Sequence, residues 1–438
     1  MKILKKTCLS IAALMCVASV CARNVARQES KENQPNIARQ EIKANRLLAG
    51  ANLLAYPIND DNAPALTPAP EGYTPFHMEH YGRHGSRFLI WDRDYLQPIQ
   101  TLRDAVAKGA KLSARGEEVI AELEAINAQA DGFYGSLTDL GAHQHQGIAR
   151  RMVRNFPTIF CDSATIDAKS TVVIRCILSM TNELVEIASL RPGIKITQNS
   201  APKFQPILNP NDFDSVAMKI RHGVNDTLRT WKKSLDNPTR IIRQLIDKPE
   251  LIDADTAFDL AKSLFNIAQN QQSNASDTGL LDLFNDEEMY RFWEMNNVEW
   301  FVKSGYADLT QHRMPAQEKA LVNDIITHAD EAIASCRPSA TMRFGHESMV
   351  LPLAAFLELN DCATPIHDIN EISAKVQNYR IFPMAANIQL IFYRNPAGDI
   401  LVKVLLNERE ATLPIAGAPA PYYPWRALKA YYLDKLQK

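Results

Sequence analysis

The densest chemistry in the 438-residue sequence is the run Tyr81-Gly82-Arg83-His84-Gly85-Ser86-Arg87. Two guanidinium groups beside one imidazole repel each other unless an anion joins them, and arginine grips phosphate oxygens in bidentate fashion. Neighbouring positive charge also lowers the imidazole pKa and keeps the ring neutral and nucleophilic. Gly82 and Gly85 let the backbone turn sharply and let a ligand come close. The run follows a short strand-like stretch, Phe76 to Tyr81, and open α/β sheets bind ligands just beyond the carboxyl ends of their strands. A surface loop with a merely hydrogen-bonded histidine fits this pattern poorly.

Other candidates carry less. His77 and His80 are three apart in a strand and face opposite sides. His143 and His145 are two apart on a helix and do not share a face. Each reads as a structural histidine. Residues 221–243 carry Arg221, Arg229, Lys232, Lys233, Arg240 and Arg243 against Asp226 and Asp236. Such a run reads first as a solvated helical face and second as a basic wall beside an anionic ligand. Cys161, Cys176, Cys336 and Cys362 remain once the leader is removed, and none forms a C-x-x-C pair. Cys336 and Cys362 bracket a strand and a helix, so both are expected at the sheet end away from the site, near enough to bridge.

The elements around these residues alternate. Helical spacing runs from Tyr95 to Val106, from Val119 to Ile126 and from Leu140 to Arg154. Ser170 to Cys176 reads as a buried strand, followed by a helix from about Ser179 to Leu190. From about Pro210 to Ser335 helical patterns dominate. Strand and helix then return, with Ala340 to Phe344, Met349 to Leu359, the hairpin of Ile388 to Tyr393 and Ile400 to Leu406, and a closing helix from Trp425 to Leu436. The expected class is α/β, with a largely parallel central sheet flanked by helices and an inserted α-helical subdomain.

Composition sets the outer limits. Hydrophobic residues make up 46% and charged residues 22%, enough for a sizeable core. With 48 Lys plus Arg against 50 Asp plus Glu, nucleic-acid binding is disfavoured. Lys2, Lys5 and Lys6 precede an uncharged, mostly apolar run, and Val20-Cys21-Ala22 offers a cleavage site. This is the build of a signal peptide, with lipid anchoring at Cys21 a second choice because Val20 is bulky. The expectation is an exported protein, periplasmic or secreted, without a transmembrane span.

RHGSR after a strand resembles the RHGxR signature of the histidine acid phosphatases, the branch that includes phytases and multiple inositol polyphosphate phosphatases. LTDLGAHQHQGIARRM (137–152), STVVIRCILS (170–179), RFGHESMVLPLAAFLEL (343–359), NIQLIFYRN and PYYPWRALKAYY extend the resemblance over most of the chain. The resemblance implies that His84 attacks phosphorus, that Arg83, Arg87, Arg175 and His346 hold the phosphoryl oxygens, and that Glu347 protonates the leaving group. It implies no metal and no cofactor, since arginines supply the positive charge. The family's second motif is commonly His-Asp, or His-Ala-Glu in the inositol polyphosphate group. Here His346 and Glu347 are directly adjacent, and helix capping is the alternative role for Glu347.

The implied organisation is a signal peptide (1–22), an N-terminal arm and linker (23–74), two halves of an α/β core (75–205 and 338–438) and an α-helical cap (206–337). The expected substrate is a small phosphate monoester, an inositol polyphosphate first. The alternatives are a broad acid phosphatase for sugar or nucleotide phosphates, and a catalytically weak phospholigand-binding relative.

Overall fold

The computed structural model describes residues 36–59, 65–210, 215–235, 237–276, 278–335, 337–415 and 420–438. The expected signal peptide lies outside them, as does Cys336 and with it the expected Cys336–Cys362 neighbourhood. Among the described residues, no helix is long and apolar enough to cross a membrane.

One mixed sheet organises the chain. Its strands are β1 (Thr74–Arg83), β2 (Thr165–Ser170), β3 (Lys195–Ser200), β4 (Ser339–Gly345), β5 (Asn387–Arg394), β6 (Ile400–Leu406), β7 (Arg409–Ala411) and β8 (Tyr423–Pro424). The order is β3-β2-β4-β1-β5-β6-β7, with β8 beside β6. The four strands β3, β2, β4 and β1 run parallel. From β5 onward the pairing is antiparallel. Parallel strands need cover on both faces, and β1 and β4 are accordingly buried over most of their length.

The helices longer than four residues are α1 (Ile37–Ala44), α2 (Arg93–Ala107), α3 (Ala114–Ala130), α4 (Asp139–Asn155), α5 (Ile174–Leu190), α6 (Ser215–Gly223), α7 (Asn225–Leu235), α8 (Thr239–Leu245), α9 (Ala254–Asn270), α10 (Asp286–Ser304), α11 (Lys319–Ser335), α12 (Glu347–Phe356) and α13 (Trp425–Gln437). Alternate strand residues divide between two cores, as the two-residue period requires. Met78, Met342 and Ile391 pack with Met152 of α4 and Leu184 of α5. Tyr81, Leu390 and Phe392 pack with Ile325 of α11, Leu353 of α12 and Leu428 of α13. A third apolar core joins α1, α2 and α3 to α8, α9 and α10.

Two local readings change. The segment Ser170–Cys176 is not a strand. β2 is the more polar Thr165–Ser170, and the chain leaves the sheet at Thr171 to start α5 at Ile174. A short apolar run has no period that separates buried strand from helix start, and here Val172 and Ile174 are 48% and 68% exposed. The stretch from 23 to about 50, expected as a leader or loose arm, is packed where it is described, whereas the expected connector before Pro75 is mostly exposed over residues 65–74. Ala38, Ile42 and Ala49 lie in the helical core.

Candidate active site

Parallel pairing explains how distant residues meet. Across β1 and β4, Arg83 aligns with Gly345, and the His84 N–H donates to the Gly345 carbonyl at 3.0 Å. Across β2 and β4, Ser170 aligns with Phe344. The chain therefore leaves three adjacent strands at one edge, as Arg83–Arg87, Thr171–Arg175 and His346–Glu347. This is the carboxyl end of the parallel strands.

The loop after β1 is fixed by backbone contacts. The Gly85 N–H donates to Ser179 Oγ (3.0 Å) and the Ser86 N–H to Gln144 Oε1 (2.8 Å). Asn270 Nδ2 donates to the Arg87 carbonyl at 3.0 Å. A Cβ on Gly85 would fall 2.5 Å from the Gly141 carbonyl oxygen, and one on Gly141 would fall 2.3 Å from that of Ser86. The paired glycines bring the amino end of α4 onto the loop; Thr138 Oγ1 caps that end, accepting from the Gly141 N–H at 3.2 Å.

His84 is fully buried, and its Nδ1 lies 2.9 Å from the Gly85 carbonyl. That contact assigns the ring proton to Nδ1 and leaves the lone pair on Nε2. Nε2 lies 3.4 Å from Glu347 Oε2, which also approaches Arg83 Nε at 3.2 Å. Arg83 is anchored through Nη1, which donates to the carbonyls of Asn52 (2.7 Å) and Phe382 (2.8 Å). Arg87 and Arg175 are held more lightly, by the carbonyls of Phe88 (2.9 Å) and Gly135 (3.3 Å). Buried donors remain over: Arg83 Nη2, Arg87 Nε and Arg175 Nε have no hydrogen-bond partner among the described residues. The His346 ring meets that of His84 edge-on at 5.7 Å, and its Nε2 lies 3.3 Å from Thr171 Oγ1. The His346 N–H donates to Tyr81 Oη (3.3 Å), which donates to the Leu208 carbonyl (2.9 Å).

The electrostatics favour a neutral histidine and an ionised glutamate. Burial pushes the His84 imidazole well below its ordinary pKa; Glu347 opposes the shift and Arg83 adds to it. Burial dominates, where the sequence suggested the arginines. Burial likewise lowers His346 to about 4, against the pull of Glu347. For Glu347, burial would raise the pKa. The Arg83 and Arg87 charges outweigh it and hold the carboxyl well below its usual range. Its place in the first turn of α12 favours the anion too. His84, His346 and Glu347 lie close enough to share a metal ion. Three guanidiniums around them suit an anion better.

The six sequence candidates thus converge on one cluster. Of its supporting residues, Gln144 and Ser179 lie inside the family-like segments 137–152 and 170–179 without having been singled out, while Asn52 and Asn270 lie in none. The other candidates lie elsewhere. His77 binds Glu79 (2.8 Å), His145 binds Glu183 (2.7 Å), and His143 is exposed. The basic run is largely ion-paired: Lys232 with Glu299, Lys233 with Asp255, Arg240 with Glu288.

The family model described as histidine phosphatase superfamily (branch 2) matches residues 195–407, a span that holds His346 and Glu347. The apo multiple inositol polyphosphate phosphatase of Bifidobacterium longum superposes with a TM-score of 0.70 at 20% identity, over 87% of this chain and 96% of that one. The same enzyme with inositol hexasulfate gives 0.69 at 19% identity, over the same shares of the two chains. The D. castellii phytase gives 0.67 at 13% identity, over 89% of this chain and 85% of that one. No curated protein matches by sequence. Residues 195–407 thus resemble the histidine phosphatase superfamily, branch 2. Its fold is shared with the inositol polyphosphate phosphatase and the phytase named above.

Proposed function

We propose that the protein is an exported phosphomonoesterase that works through a phosphohistidine on His84, with inositol polyphosphates as its substrates. The observation that carries the reading is the His84 Nε2 lone pair, buried in a pocket of unpartnered Arg83, Arg87 and Arg175 donors. The phosphoryl group binds among the arginines and His346. His84 Nε2 attacks phosphorus as the ester P–O bond breaks, and the leaving alkoxide takes a proton from Glu347. Water then attacks the phosphohistidine, the P–N bond breaks, and the Glu347 carboxylate takes the water proton. Arginines neutralise the charge on the transferring group, the main demand of phosphoryl transfer, and the covalent step divides one barrier into two.

Arg83 and Arg87 hold Glu347 ionised, so it must gain a proton before it can give one. An incoming phosphate supplies the reason: its charge offsets the arginines that keep the carboxyl ionised. A substrate arriving as the monoanion also carries the proton required. The inositol polyphosphate preference is supported by the structural neighbours, and the export by the amino-terminal sequence. Release of phosphate from inositol hexakisphosphate and from simple sugar phosphates, compared at equal concentration, tests the proposal. A higher kcat/KM for the inositol ester is expected. Preference for simple monoesters would favour a broad acid phosphatase, and binding without release a phospholigand-binding protein.

A further inference from the structure

A second cluster of chemically active side chains lies outside this pocket. Asp308, His312 and His367 bring one carboxylate and two imidazoles together, with donor atoms all within 4.8 Å of one another. Asp308 Oδ1 lies 2.6 Å from His312 Nε2, and both carboxylate oxygens lie 2.9 Å from His367 Nδ1.

The backbone makes this meeting specific. Asp308 opens a single 3-10 turn just beyond α10, while His367 comes from a segment nearly sixty residues later. A parallel bridge between Ala307 and Ile366 joins the two segments immediately before the ligands. The Ile366 N–H donates to the Tyr306 carbonyl (3.2 Å) and the Asp308 N–H to the Ile366 carbonyl (3.3 Å). Ala307 and Ile366 are both buried in the main core, so the site stands on fixed ground. Gln311 and His312 adopt left-handed φ values of 53° and 56°, and the His312 N–H donates to the Ala307 carbonyl at 3.0 Å. Two successive non-glycine residues in that region cost energy, and the turn returns the His312 ring to Asp308. Nδ1 of that ring is buried without a hydrogen-bond partner, so Nε2 alone orients it among the described residues.

From this geometry we infer that Asp308, His312 and His367 form a surface site for a divalent transition-metal ion of the zinc type, independent of the catalytic pocket. Two imidazole nitrogens and one carboxylate oxygen are borderline donors that suit zinc and its neighbours better than magnesium or calcium. Three protein ligands leave a fourth position for water, the arrangement of an exchangeable site. A bound ion would tie the segment after α10 to the one carrying His367 and stabilise the folded chain by mass action.

The test is titration of chelator-treated protein with Zn²⁺ against a chromophoric competitor. The wild type should bind one Zn²⁺ at this site, and its thermal midpoint should rise with the ion. His367→Ala and Asp308→Asn should each weaken binding by at least about tenfold, since even partners one shell further out cost that much, and should abolish the thermal shift. His367 is 75% exposed, so its loss should leave the fold intact, as circular dichroism would confirm. Glu347→Gln should leave this binding unchanged. No saturable binding at millimolar Zn²⁺, unaltered affinity in both surface variants, or loss in Glu347→Gln would each overturn the inference. The last would place the ion in the catalytic pocket.

Discussion

Glu347 Oε2 lies 3.4 Å from His84 Nε2, so the site holds its own anion against the proposed nucleophile. Substrate and carboxylate compete for the same guanidiniums. On the proposed mechanism Glu347 is an anion-gated acid, held ionised by Arg83 and Arg87 and protonated when phosphate offsets their charge.

Glu347→Gln removes both the competing charge and the proton. Inorganic phosphate should bind at least about tenfold more tightly at neutral pH, since charges a few ångströms apart in a protein interact by several kcal/mol. Turnover of alkyl phosphates should fall about a hundred- to ten-thousand-fold, the usual worth of a general acid. An aryl phosphate leaves as a stabilised phenolate and should lose visibly less. Equal losses on both substrates would reduce Glu347 to a capping or positioning role.

The paired glycines supply a second check. Gly85→Ala sets a methyl 2.5 Å from the Gly141 carbonyl oxygen, a backbone atom that cannot turn aside. The loop must shift, and a displacement near 1 Å in a catalytic group costs about a hundredfold in rate. Comparison of kcat/KM with the unfolding midpoint should show activity lost well beyond stability. Activity near the wild type would mean the loop tolerates the shift.

Stability should fall on acidification. Burial lowers His346 to about 4 and His80 to about 3 in the folded chain, against an unfolded value of about 6.5. Between those limits the unfolded chain binds more protons, so stability rises with pH there and is lost as pH falls from 6.5 towards 4. The slope is on the order of 1 kcal/mol per pH unit for each group. Neither His80 nitrogen has a hydrogen-bond partner among the described residues, so His80→Leu should flatten the slope. Denaturant unfolding across pH 4 to 7 measures it; an unchanged slope in the variant would contradict the assignment.

Behind the site, Arg343 binds Glu79 at 2.5 Å with both side chains fully buried, and Asp324 at 2.6 Å. Glu79→Ala leaves the guanidinium underpaired in the core, and breaking a buried pair in this way costs about 3–5 kcal/mol. Asp324 should hold the loss to the lower end. Chemical denaturation would report it, and a loss under about 1 kcal/mol would show that water or Asp324 compensates fully.

The sequence carried the parts of this arrangement that local chemistry dictates. RHGSR at the end of β1 was legible because glycines, charges and a strand end coincide within a few residues. The hairpin of β5 and β6 was legible from apolar runs around Asn395-Pro396-Ala397-Gly398, and Gly398 takes the left-handed conformation the turn needs. β2 was hidden, since Asp167 and Lys169 interrupt its apolar pattern while the β-branched Thr171–Ile174 stretch mimics a strand. Gln144, Ser179 and Asn270 were hidden more deeply. An amide or hydroxyl on a helix signals nothing until packing sets it against Gly85, Ser86 or the Arg87 carbonyl.

The central claim is the covalent bond to His84. The direct measurement is rapid quenching of the wild type and His84→Ala during turnover of a ³²P-labelled ester, followed by alkaline digestion and peptide mapping. The account predicts an acid-labile, alkali-stable label on the peptide containing His84, absent from the variant, which should not turn over. Turnover by the variant at the wild-type rate, or a label on another residue, would contradict it.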